Sequence, residues 1–207
     1  MSHESVITGL KRLIKRDLLE IEPKDHVDHL FGESPRSTII LEASTVEASI
    51  LHILKGKMPT LNNDERERIF NFEGPCGSFS NRIRMAQGLG VFDRTTRRSI
   101  ELIKEMRNAA AHCHAPISFE TVEIREAVLA LFPSVLRSKM QEWEARRIRV
   151  AFSLICSEFC MSLTDPEYEV NAQEAFDKCR PTEMPRASPE KPSGASHQSR
   201  RRAKKDK

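Results

Sequence analysis

The apolar positions of this chain recur at helical spacing almost from end to end. Val6, Leu10, Leu13, Ile14, Leu18 and Ile21 fall three or four apart, with Lys11, Arg12, Lys15 and Arg16 between them. That pattern predicts an amphipathic helix over residues 4–22, ended by Pro23. A second helix follows Pro35, with Ser37 placed to cap it. Its segment ILEASTVEASILHIL is apolar on nearly every side, which marks it as the central and most buried helix. Gly56 and Pro59 end it. Residues 64–72 predict a short helix, after which Gly74, Pro75 and Gly77 force a bend.

Ser78 or Ser80 is placed to cap a helix through NRIRMAQ, terminated by Gly88 and Gly90. Asp93 caps the next, TTRRSIELIKEMRNAAAH, with Ile100, Ile103, Met106 and Ala110 at buried spacing and Pro116 beyond its end. Ser118 starts a helix to Leu131, and Pro133 opens a final long one to about residue 163. No segment alternates apolar and polar residues long enough to demand a strand, and there is no internal repeat. The expected fold is all-α, a single bundle of about six to seven helices.

Composition narrows this further. The 207 residues are 39% hydrophobic and 30% charged, as in one soluble domain able to bury a core without disulfides or a structural metal. Eight glycines are a poor supply of turns for a many-stranded sandwich. No uninterrupted run reaches the roughly eighteen apolar residues of a membrane span. The charged N-terminus also lacks the apolar stretch of a signal peptide. Five cysteines, an odd number, fit reduced thiols in a cytoplasm. No membrane association and no cofactor are expected.

Charge divides the chain in two. Residues 180–207 hold nine Lys/Arg against three Asp/Glu, a net +6, which leaves 24 basic and 27 acidic residues, a net −3, in 1–179. Four of the eleven prolines (Pro181, Pro185, Pro189, Pro192) also fall in the basic segment. Such a stretch buries too little surface to offset its ordering entropy, so it reads as a disordered tail after a helical domain spanning 1–179. Arg200, Arg201, Arg202, Lys204, Lys205 and Lys207 at its end could touch DNA or RNA phosphates without sequence preference, or serve only solubility.

Candidate chemistry centres on Arg107-Asn108-Ala109-Ala110-Ala111-His112. An Arg and a His so spaced suit metal-independent RNA cleavage, His moving the proton of a 2′-hydroxyl and Arg stabilising the phosphorane-like charge. Positions five apart lie about 140° apart around a helix, so the two side chains do not share a face. They converge only if the helix ends near His112 or if two subunits each contribute a copy. Otherwise Arg107 pairs with a carboxylate, Glu105 or one on another helix, and His112 meets the helix C-terminus. His112, Cys113 and His114 form one compact group without a second, so no metal site is expected, and His26 with His29 has no thiol nearby. Cys156 and Cys160, four apart on an apolar face, read as core, and Trp143 as the occupant of a helix–helix contact. The glycine clusters lack the strand and the Lys-Ser/Thr of a phosphate loop. Residues 79–112 have too long a turn, and too many acids on the second helix, for a DNA-reading helix-turn-helix.

The block GPCGSFSNRIRMAQGLGVFD followed by ELIKEMRNAAAH resembles the mannitol operon repressor (MltR) family. Gly74, Gly77, Arg82, Gly88, Leu89, Gly90, Arg107, Asn108 and His112 carry the match, and the likeness spans roughly residues 35–163. It implies a helical regulator of sugar-alcohol operons, homodimeric, without a helix-turn-helix and acting through a protein partner. The Arg107-to-His112 signature is also similar to that of the HEPN superfamily. That likeness implies a metal-independent endoribonuclease or toxin in which Arg107 and His112 are catalytic and Asn108 assists.

Overall fold

The computed structural model describes residues 34–165 and 167–179. The helix expected over 4–22, the His26/His29 pair and the basic tail, 180–207, lie outside the described residues. Within them the chain forms eight helices and no strand: α1 (Pro35–Lys57), α2 (Asn63–Phe70), α3 (Phe79–Gly88), α4 (Arg94–His112), α5 (Val122–Ala130), α6 (Ser134–Met140), α7 (Ala145–Thr164) and α8 (Ala172–Lys178). The fold is an all-α bundle.

α1 is the axle. It packs against α7, α4 and α3, and its Ile39, Ala43, Val46, Ile50 and Leu54 are fully buried. By length and composition alone this helix could cross a membrane. Here its apolar faces are covered by other helices instead. Its hydroxyls are satisfied locally, Thr38, Ser44, Thr45 and Ser49 each donating to the carbonyl four residues back. The cap is Ser34, whose hydroxyl accepts the Ser37 amide at 3.1 Å, so the expected capping role of Ser37 is corrected. Pro35 then occupies the first helical position, where its missing N–H costs nothing.

α4 has the sharpest two-faced pattern, with Ile100, Ile103, Met106 and Ala110 buried, as their spacing predicts. Asp93 caps it, accepting the Thr96 amide at 2.7 Å. That bond holds the Asp93 carboxyl below its ordinary range. α1 and α4 run antiparallel. Arg36 at the start of α1 donates to the carbonyls of Ala110 and Ala115 at the end of α4, while Lys57 and Thr95 line one cleft at the opposite ends.

Two features depart from the sequence expectation. The long helix from Pro133 is broken into α6 and α7 although residues 134–164 contain neither Gly nor Pro. Arg125 of α5 donates to the carbonyls of Met140 and Gln141, taking acceptors a continuing helix would use, and Glu144 is extended. The turn lets Trp143 bury its ring against Phe176 of α8, centroids 5.0 Å apart, with the Arg147 guanidinium 5.4 Å from the indole. α8 itself lies beyond the apolar periodicity of the main helices. It is held through Glu158, a buried carboxylate on α7 that accepts from the Tyr168 hydroxyl (2.7 Å) and the Asn171 amide (3.0 Å). The same bond pushes the Tyr168 phenol up to about 12.

Between α2 and α3 the chain folds back on itself. The Cys76 amide donates to the Ile69 carbonyl at 2.9 Å, and the Gly74 and Gly77 amides close successive turns onto Asn71 and Gly74. A Cβ on Gly74 would collide with the carbonyls of Arg68 and Ile69, and one on Gly77 with those of Asn71 and Phe72. Gly56, by contrast, faces open space. Gly74→Ala therefore lowers stability by about 1–3 kcal/mol, the usual cost of a backbone collision. Gly56→Ala raises it by up to about 1 kcal/mol through helix propensity. Urea unfolding of the two variants measures both, and equal effects would contradict this account of the bend.

Candidate functional site

The residues singled out in the sequence assemble around one acid that was not among them, Glu47 in the middle of α1. Its Oε1 accepts from Arg82 Nη1 of α3 at 2.8 Å, and its Oε2 forms an ion pair with Arg107 Nη1 of α4 at 3.0 Å. One carboxylate thus joins three helices. An acid in an otherwise buried apolar helix is stable only with such partners.

Arg82 is the more deeply committed of the two. Besides Glu47, its Nε donates to the Cys76 carbonyl at 2.9 Å, and its Nη2 lies 3.3 Å from the Gly77 carbonyl and 3.5 Å from that of Phe70. The guanidinium therefore pins the glycine bend onto α1, using the planar fork that only Arg provides. The Cys76 thiol beside it is pushed up by burial, partly offset by that positive charge. The rigid bend lifts Phe72 into solvent at 93% exposure, the most exposed large apolar side chain among the described residues.

Arg107 keeps 35% of its side-chain surface exposed, against 13% for Arg82. Of the two pairings foreseen, with Glu105 or with another helix, the structure gives the second. Glu105 goes instead to Lys104 at 2.6 Å and accepts from Asn108 at 3.3 Å, and the Lys104 bond holds its carboxyl below the usual range. His112 is the last residue of α4 and is exposed. Because α4 remains helical through His112, the two side chains stay about 140° apart around the axis. A single copy does not bring Arg107 and His112 to one point. Cys113 and His114 are likewise exposed.

Of the motif glycines, Gly74 and Gly77 shape the bend, Gly88 ends α3, and Gly90 carries the one positive φ among the described residues, 70°. Ser78, not Ser80, caps α3, accepting the Asn81 amide; Ser80 accepts from Lys104 instead. Cys156 is fully buried and Cys160 half-buried against the core, and burial pushes the Cys156 thiol well above its ordinary value and Cys160 up to about 11. Among the described residues no group of three or more His, Cys, Asp or Glu is arranged to hold a metal ion.

The chain matches no protein-family model, no curated protein and no solved structure. Its site is accordingly argued from its own geometry. Arg82→Lys keeps one charge but cannot serve Glu47 and three carbonyls together, and is expected to cost about 2 kcal/mol. Arg107→Lys, at a half-exposed pair, is expected to cost under about 1 kcal/mol. Denaturant midpoints rank the two, and the reverse order would show that the bend is held by something other than Arg82.

Proposed function

We propose that this chain is a cytoplasmic regulator of the mannitol-repressor type, a homodimer that acts by contacting another protein rather than by cutting RNA. The observation that carries this reading is the capture of Arg107 by Glu47. Phosphate chemistry needs an arginine charge available to the developing anion and a histidine oriented towards the reacting hydroxyl. In the single chain Arg107 is drawn onto Glu47, Asn108 is turned to Glu105, and His112 is exposed with no orienting acceptor among the described residues. A role in contact suits Phe72, an exposed aromatic on a bend that Arg82 holds rigid. Rigid aromatic anchors carry a large share of interface energy. The basic tail adds sequence-independent attraction to DNA or RNA at most.

A second reading, a metal-independent endoribonuclease using Arg107, Asn108 and His112, draws on one observation. Arg107 is only partly covered and His112 is exposed at the same end of α4. Two copies meeting there would place both groups in one interface.

Two measurements separate these readings. Purified protein incubated with mixed single-stranded RNA in EDTA is expected to leave it intact, as are Arg107→Ala and His112→Ala. Deleting the encoding gene is expected to raise transcription of a neighbouring operon. A folded Phe72→Ser protein is expected to reproduce that rise. Cleavage by the unmodified protein that His112→Ala abolishes would replace the regulator with the ribonuclease. Unchanged transcription of every neighbouring operon would remove the regulator.

A further inference from the structure

At the far end of α4 from Arg107 lies a cleft of about 800 Å³, bounded by the end of α1, the start of α4, the α5–α6 turn, the end of α7 and the segment 168–172. Its volume falls in the range of about 300–1,000 Å³ typical of small-molecule sites. Thr95 and Arg107 are separated by about 18 Å along the helix, so the cleft is distinct from the charged cluster around Glu47.

Three features give the cleft a chemical character. Its accessible apolar lining is Ile53, Val91, Phe92 and Val170, backed by Phe132 and Phe159, which are almost wholly buried. The strap 168–171 is held across one wall by two hydrogen bonds to the buried Glu158 carboxylate, so that wall is fixed before any ligand arrives. The rim carries two cations, Lys57 and Arg137, and neither has a carboxylate partner among the described residues. Arg137 spends Nε on the Phe132 carbonyl (2.7 Å) and Nη2 on that of Ala130 (3.2 Å). Those bonds lock the guanidinium at the cleft edge and leave Nη1 to donate outward. The rim also carries two acids, Asp93 and Glu169; Asp93 stays ionised, and its Oδ1 is held by the Thr96 amide as the cap of α4.

We propose that this cleft binds a small molecule with an apolar, ring-sized body and an anionic head, the body resting on Ile53, Val91, Phe92 and Val170 and the head held by Lys57 and Arg137. An anion there supplies charge pairing that neither cation finds among the described residues, and guanidinium donors already fixed lose little freedom on binding. The Ser99 hydroxyl, also on the lining, offers a further donor. The site does not depend on the regulator reading. It would serve a regulator as an effector pocket and an enzyme equally well.

The test uses the full chain labelled with ¹⁵N and titrated with phenyl phosphate, with benzoate as the carboxylate arm and phenol and inorganic phosphate as single-feature controls. Phenyl phosphate or benzoate is expected to shift the amides of 91–99 and 168–172 saturably, while phenol and phosphate bind at least about tenfold more weakly, the worth of one anchoring interaction. Lys57 is exposed and makes no packing contact that the fold needs, so Lys57→Gln is expected to fold normally and weaken binding at least about threefold. Ser99→Phe fills the cleft and is expected to abolish the shifts. Scattered or non-saturating shifts would overturn the proposal, as would equal binding of inorganic phosphate, equal binding of phenol, or unchanged affinity in Lys57→Gln. The amide shifts read the cleft directly, so neither the RNA assay nor the transcription assay bears on their outcome.

Discussion

The carboxylate of Glu47 sits between two guanidiniums, and the distinctive half of the molecule is organised around that arrangement. Moving one acid into a helix packed on three sides is costly unless its oxygens are met by donors that stay in place. Arg82 and Arg107 meet them from two different helices, one oxygen each. The geometry fixes where α3 and α4 lie against α1. Through the remaining donors of Arg82 it also fixes the backbone of the bend that follows α2. A lysine at either place would supply charge without the fork. An uncharged partner would leave the acid without compensation.

The two ends of the α1–α4 pair are built by different means. At one end, side-chain charge meets backbone carbonyls. Arg36 closes the last turn of α4, and nearer the middle of α1 Arg82 ties down the bend beneath Phe72. At the other end, apolar side chains line a cleft, a buried acid holds a strap through a phenol and an amide, and the rim carries charges of both signs. The first end is stiff and presents a surface. The second is concave and presents a cleft. A regulator needs both kinds of feature, a contact surface and a place for a signal to enter, and here one rigid helix, α4, connects them.

Much of the helical layout was legible in the sequence because it rests on local rules. The buried positions of α4 follow from spacing, Asp93 and Ser78 cap as their chemistry predicts, and Gly74 and Gly77 bend the chain where they stand. The break between α6 and α7 was not legible. It contains no breaker residue and exists because Arg125 and Phe176, distant in sequence, compete for Met140 and Trp143. The organising acid was overlooked for a related reason. An apolar helix draws attention to its hydrophobic residues, whereas Glu47 and Glu42, its only two acids, were the informative positions. An acid in such a helix requires a cation elsewhere, and the arginines of the neighbouring glycine-rich block were the available supply. The Arg107-to-His112 spacing, read alone, suggested shared chemistry, but helical continuity through His112 holds the two side chains apart in one copy.

Amide hydrogen exchange in Glu47→Gln addresses the central claim most directly. If the carboxylate holds Arg82 over the bend, the amides of Cys76 and Gly77 will lose protection by at least about tenfold, corresponding to roughly 1.4 kcal/mol of local stability, while the amides of α7 change only as far as global stability does. Unchanged protection at Cys76 and Gly77, in a variant that folds, would mean that the bend stands on its glycines alone and that Glu47 is a passenger on α1.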